Sequence, residues 1–177
     1  MPKIRELISR ERIRERTVEL GREISRDFQA REGDLLVVGL LNGTFVFMAD
    51  LVREIDLVLT VGFMAVSSYG DALSSSGSVR IQQDLDIPVR GKDILLVEDI
   101  LDTGRTCARV VELLRARGAA AVKTCALLDK PSRRLVPIKP DYRGFEIPDL
   151  FVVGSGLDYL QAYRNLPFIG VLEEESG

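Results

Sequence analysis

The chain contains no histidine. Ser-His-Asp catalysis, imidazole acid–base chemistry and His-containing zinc sites are thereby excluded. Cysteine is nearly as scarce. Cys107 and Cys125 lack metal-ligand spacing and form no framework of bridges, which fits a reduced cytoplasmic setting. Positive charge is not in excess either: 24 Lys and Arg stand against 27 Asp and Glu in 177 residues, a net charge of -3. That balance argues against a nucleic-acid partner bound through bulk charge, yet it leaves room for a local basic pocket that takes a small anion. Long apolar runs are missing too. The longest uncharged stretch, Leu35 to Ala49, is 15 residues interrupted by Asn42, Gly43 and Thr44, short of the roughly 20 apolar residues of a membrane span. The opening segment MPKIRELISRERIRER alternates charged with apolar residues and has no apolar core of a secretory signal. A soluble, cytoplasmic protein with no membrane partner is expected.

The length suggests one domain over residues 1–177. With 46% hydrophobic and 29% charged residues, the composition is that of a globular chain. Ile13, Thr17, Leu20, Ile24 and Phe28 recur at helical spacing and predict an opening helix with one apolar stripe. DLLVVGLL then reads as a buried parallel strand, and Gly43 turns the chain into a second helix carrying Phe45, Met48, Leu51, Val52 and Ile55. Leu57 to Ser67 reads as a strand, SSYGDALSSSGS as a mobile polar loop, and Val79–Gln82 as a short strand. DILLV at 93–97 is a second buried strand. A helix with Val110, Val111, Leu113 and Leu114 follows, then the strand AVKTCALL, a Pro-rich connection, the strand DLFVVG and a last strand near FIGVL. Strands alternating with helices predict an α/β fold with a mainly parallel central sheet flanked by helices. Ligands of such sheets bind beyond the C-terminal strand ends, where the polar segments of this chain fall.

The segment from Val97 to Thr106, VEDILDTGRT, carries the most chemistry. Glu98 and Asp99 are adjacent acids, Asp102 follows three residues later, and Thr103-Gly104-Arg105-Thr106 opens a helix. Amides and hydroxyls at a helix N-terminus can hold a phosphate. Acids just before it can accept from sugar hydroxyls or hold Mg2+. The segment lacks the Gly-Lys-Ser/Thr of a Walker loop. Taken alone, Asp102 or Thr103 could simply cap the helix, but three acids abutting a buried strand favour a functional role.

This decapeptide resembles the ribose-phosphate signature of type I phosphoribosyltransferases, which use 5-phosphoribosyl-1-diphosphate (PRPP). LLNGTFVFMADLVR, SSYG, LLDKPSRR and GFEIPDLFVVGSGLDY resemble, in the same order, landmarks of the hypoxanthine-guanine phosphoribosyltransferases. The resemblance covers about Val37 to Gly170. It implies the type I phosphoribosyltransferase fold, with a small hood region and a mobile loop, and transfer of 5-phosphoribosyl from PRPP to N9 of a 6-oxopurine with Mg2+ as cofactor. Purine nucleotide and diphosphate are the implied products, and a homodimer or homotetramer the implied assembly.

The resemblance also assigns residues. Asp102, Thr103, Gly104, Arg105 and Thr106 are implied to cradle the 5′-phosphate, and Glu98 and Asp99 to face the ribose hydroxyls and the metal. Asp102 is implied to be the general base at purine N7, with a brace for the loop as the lesser alternative. Asn42 and Gly43 match the diphosphate loop, where the family often carries Lys or Arg and a non-proline cis peptide; Asn42 removes that cation. Ser68 and Tyr69 match a pair that contacts diphosphate when the loop closes, and Arg164 matches a further diphosphate contact. Lys130 matches the residue that donates to O6, with Arg134 orienting the region. Phe151 is implied to stack on the purine and Val152 to offer backbone groups to its edge. Asp158 is implied at the base and, with Glu98 and Asp99, at the metal. Ser155 stands where the family often has Tyr. A xanthine-preferring enzyme and a nucleotide- and RNA-binding regulator of the same fold are the competing readings.

Overall fold

The computed structural model describes residues 3–68 and 79–173. Of the expected mobile loop, 67–78, Ser67 and Ser68 form the end of a strand, and 69–78, Tyr69 included, lie outside the described residues. Ser9 starts the first helix by accepting from the amide of Arg12 at 3.3 Å, an N-cap arrangement. The helix, α1 (Arg10–Gln29), buries the predicted stripe Ile13, Thr17, Leu20, Ile24 and Phe28. The all-apolar run Leu35–Leu41 is β2, buried on both faces as a central parallel strand must be. The second helix, α2 (Phe45–Glu54), buries Phe47, Met48 and Leu51. Strands β3 (Leu59–Ser68), β4 (Val79–Gln83), β5 (Asp93–Leu101) and β6 (Ala121–Asp129) follow, with α3 (Arg105–Ala116) between the last two.

Six strands form the main sheet in the order β4-β3-β2-β5-β6-β7, where β7 is Tyr142–Glu146. All neighbours pair in parallel except β3 with β4. Its two faces hold two cores. Leu95 and Val97 of β5 join the cluster under α1 and α2, and Ile94 and Leu96 join the cluster under α3. The predicted α/β sheet is therefore present, with two differences. Strand β5 continues four residues beyond Val97, so Glu98 and Asp99 lie within it rather than after it. The DLFVVG and FIGVL segments leave the main sheet: β8 (Val152–Val153) and β9 (Ile169–Glu173) pair antiparallel with each other, and β9 pairs antiparallel with β1 (Lys3–Ile8). This three-stranded sheet is the hood. Among the described residues no helix is long and apolar enough to cross a membrane.

Candidate active site

Strand alternation separates the two adjacent acids at the end of β5. Glu98 turns toward α3, where it hydrogen-bonds the Cys107 thiol. Burial pushes its carboxyl up to about 8, with the charge of Asp99 adding to the effect. Its neighbour, Asp99, faces the opposite side, against Gly43. Burial raises it to about 6; the Ile100 amide, bonded at 2.7 Å, and the nearby Arg164 guanidinium work against that rise, and the charge of Asp158 works with it.

The turn after β5 is built to present amides. Gly104 takes a left-handed conformation (φ 81°) and α3 begins at Arg105, so the first-turn N–H groups have no intrahelical acceptors. Thr103 Oγ1 accepts from the Arg105 amide at 3.4 Å. Segment 130–135 backs this turn. The Lys130 amide donates to Leu101 O at 3.0 Å, the Leu135 amide to Thr103 O at 2.9 Å, and Arg134 Nη1 to the carbonyls of Leu101 and Asp102 at 3.2 and 2.7 Å. Arg134 is itself paired with the buried Asp129.

Lys130 follows Asp129 at the end of β6 and is only 7% exposed. Its Nζ lies 3.7 Å from Asp149 Oδ1. Phe151, by contrast, is 55% exposed, its ring meeting Tyr159 edge-on at 5.7 Å. An aromatic in an apolar strand is ordinarily core; this one has an open face. Val152 is buried in β8, its backbone paired with Val171.

Loop 154–166 closes the opposite wall. Asp158 Oδ1 pairs with Arg164 Nη2 at 2.9 Å, and Asp158 Oδ2 accepts from the Gln161 amide at 2.9 Å. Arg164 Nη1 donates to Gly156 O at 2.8 Å. Ser155, Leu160, Gln161 and Tyr163 all have positive φ, a conformation non-glycine residues hold only where surroundings fix it. Gly156 packs so tightly on Gly43 O that no Cβ fits there. The Leu41–Asn42 peptide is cis. Asn42 is exposed and its carbonyl accepts from the Phe45 amide at 3.3 Å. Ser68 ends β3, its backbone paired with Val79.

The structure thus gathers Asn42, Gly43, Asp99, Asp158 and Arg164 on one wall and Asp102, Lys130 and Phe151 around the turn and hood. It does not bring Glu98 together with Asp99 and Asp158, and among the described residues no group of three acids could hold a metal ion. The donor set on the chain is the pair Asp99 and Asp158, whose mutual repulsion a cation would relieve. Hard carboxylate oxygens, few in number, suit Mg2+, which keeps waters and substrate oxygens as its other ligands.

A family model of the phosphoribosyl transferase domain matches residues 10–160. The chain belongs to the phosphoribosyltransferase family. Its similarity to the hypoxanthine-guanine phosphoribosyltransferase of Bacillus subtilis is 52% identity over 94% of the chain and 92% of that relative. It is 50% identical to the bifunctional protein TilS/HprT of Listeria innocua over 96% of the chain, spanning about a quarter (26%) of that longer protein. A crystal structure of a Staphylococcus aureus hypoxanthine phosphoribosyltransferase superimposes with a TM-score of 0.91 at 44% identity, covering 96% of this chain and 91% of that one.

Reading the phosphoribosyltransferase from sequence missed Arg133, Asp149, Gly156 and Gln161. Arg133 Nε bonds Asp102 Oδ1 at 2.9 Å, and Gln161 bridges Asp158 and Arg164. The Arg-Arg pair after Lys130-Pro131 and the Asp two residues before Phe151 were available signals; nothing in the sequence marks Gln161.

Proposed function

We propose that this phosphoribosyltransferase is a purine-salvage enzyme that transfers 5-phosphoribosyl from PRPP to N9 of hypoxanthine and guanine, releasing diphosphate. The observation that carries the reading is a buried ammonium, Lys130, tied through its amide to Leu101 O behind the phosphate-type turn, with its partner Asp149 two residues before the open-faced Phe151. A buried cation donates to a 6-oxo group and finds no acceptor in a 6-amino group, so adenine is disfavoured. The Phe151 ring stacks on the base and the Val152 backbone meets its edge.

At the turn, the amides of Thr103 to Thr106 hold the 5′-phosphate at the positive end of α3, and Asp99 faces the ribose hydroxyls, while Glu98, which the resemblance placed beside it, lies on the opposite face against α3. Asn42, Gly43, Ser68, Tyr69 and Arg164 receive the diphosphate. Asp99 and Asp158 would hold Mg2+, without Glu98, which faces away from both. When bound, the metal neutralises charge on the departing diphosphate. Asp102 accepts the N7 proton as N9 attacks C1′; its Oδ2 has no protein partner among the described residues, which leaves an acceptor for that proton. The whole of 1–177 acts as one domain, in a cytoplasmic setting that suits two free, buried cysteines, as a homodimer or homotetramer.

Initial rates with hypoxanthine, guanine, xanthine and adenine at saturating PRPP and Mg2+ test the reading. Nucleotide from the first two and little from adenine is expected. A preference for xanthine or adenine, or no nucleotide from any base, would overturn it.

A further inference from the structure

Two acids and two cations form a line of contacts across the base side of the pocket. Asp102 Oδ1 accepts from Arg133 Nε at 2.9 Å. The same guanidinium reaches Asp149 Oδ2 through Nη1 at 3.4 Å, and Asp149 Oδ1 stands 3.7 Å from Lys130 Nζ. The end members have roles above; the middle ones have none. Exposed ion pairs ordinarily contribute little to stability, and all three of Asp102, Arg133 and Asp149 are about half exposed (41%, 46% and 53% of the side chain).

Placement argues for more than surface decoration. Arg133 closes a short 3-10 turn, Pro131–Arg133, and its amide donates to Lys130 O at 3.0 Å. The residues on either side bind the phosphate turn directly: the Lys130 amide to Leu101 O, Arg134 to Leu101 O and Asp102 O, and the Leu135 amide to Thr103 O. The backbone that carries Arg133 is therefore fixed relative to the backbone that carries Asp102. Asp149 anchors the second arm of the guanidinium. One carboxylate oxygen of Asp102 is held and the other is left open, which fixes the rotation of the group without consuming its remaining acceptor.

We propose that Arg133 is a positioning residue for the transfer reaction: it holds Asp102 Oδ1 so that Oδ2 faces the purine, at a set distance from Lys130. O6 and N7 of a 6-oxopurine lie side by side on one edge of the base, so the two groups that meet them must be spaced to match. The inference rests on the assignment of Asp102 and Lys130 to the base, and gives Arg133 a role on that side alone.

The test is single-turnover nucleotide formation from hypoxanthine by the full chain with PRPP and Mg2+, comparing the parent with Arg133→Met, Asp102→Asn and the double variant. Misplacing a reacting group by an ångström costs up to about a hundredfold, so Arg133→Met should slow the step about ten- to a hundredfold. PRPP affinity should stay within about twofold, the signature of an interaction that acts on the chemical step. In the Asp102→Asn background, Arg133→Met should cost less than about twofold more, because residues acting as a unit are not additive. Thermal unfolding of Arg133→Met should match the parent, which separates positioning from loss of fold. A parent-like rate for Arg133→Met, a parallel fall in PRPP affinity, or full additivity with Asp102→Asn would overturn the proposal. An unimpaired Asp102→Asn would instead overturn the assignment of Asp102 on which it rests.

Discussion

Asp99 Oδ2 occupies the place where a side chain on Gly43 would begin. The Leu41–Gly43 loop and the acid at the end of β5 therefore fit together as they stand only while residue 43 is glycine, and Gly156 packs on the Gly43 carbonyl. Gly43→Ala must displace either the Asp99 carboxylate or the loop. Overpacking of this kind costs about 1–3 kcal/mol. The expected outcome is a rise of about tenfold or more in the KM for PRPP, since 1.4 kcal/mol is a factor of ten, with the KM for hypoxanthine changed far less. Equal KM values for parent and variant would show that the two residues are not mechanically linked.

Stability should depend on pH through the buried acids of β5. Glu98 rises from an ordinary 4.5 to about 8 in the folded chain, and Asp99 from 3.8 to about 6. Between those limits the folded chain binds more protons than the unfolded one, so stability falls as pH rises. The contribution is complete below about pH 4 and is lost as pH passes through about 8. Urea unfolding of the ligand-free chain at a series of pH values checks this. Glu98→Gln, which cannot ionise, should flatten the decline between about pH 5 and 8. Parallel profiles for parent and variant would remove Glu98 as its source.

The helices and the parallel core were legible in the sequence because apolar spacing and burial carry the same information there: the α1 stripe Ile13, Thr17, Leu20, Ile24 and Phe28 is buried as spaced. Strand β1 was not legible, because KIRELI is mostly exposed and its partner β9 lies at the far end of the chain. Strand β7 was hidden by its own composition; YRGFE carries two charges and Gly144, and only its pairing with β6 makes it a strand. At the site, the acids and the phosphate turn were visible as residue types. Their orientation was not: Glu98 and Asp99 are neighbours in sequence and point to opposite faces because strand side chains alternate. Arg133 and Asp149 were missed because each matters through a contact that only the folded chain makes.

Phe151 and Lys130 should separate base binding from fold. Phe151 is half exposed, its ring edge-on to Tyr159, so Phe151→Ala should leave the unfolding temperature close to the parent's. Losing a base–aromatic stack costs about 1–3 kcal/mol, which predicts a clear rise in the KM for hypoxanthine and guanine. Lys130→Ala removes a charge-assisted hydrogen bond worth about 1.5–3 kcal/mol and should raise the same KM values while sparing PRPP. A large loss of stability in Phe151→Ala would make the ring part of the core, and equal losses for PRPP and purine in Lys130→Ala would remove it from the base pocket.

Asp99 and Asp158 give the chain two carboxylates for a metal, with the remaining ligands left to substrate and water. Dialysis against EDTA should abolish turnover, and added Mg2+ should restore it. Asp158→Asn should raise the Mg2+ concentration needed for half-maximal rate, read from a Mg2+ titration at fixed PRPP. Undiminished activity after chelation would contradict the metal assignment.

The proton at N7 has its proposed acceptor in Asp102 Oδ2, which has no protein partner among the described residues. Asp102→Asn keeps the shape of the side chain and can still meet Arg133 through its carbonyl, but it accepts no proton. Pre-steady-state mixing of enzyme, PRPP and Mg2+ with hypoxanthine isolates the chemical step from product release. Asp102→Asn should fold as the parent does, bind PRPP nearly as well, and form nucleotide about 100- to 10,000-fold more slowly in a single turnover. A single-turnover rate within a few-fold of the parent would contradict the assignment of Asp102 as general base, leaving it as a brace for the phosphate turn.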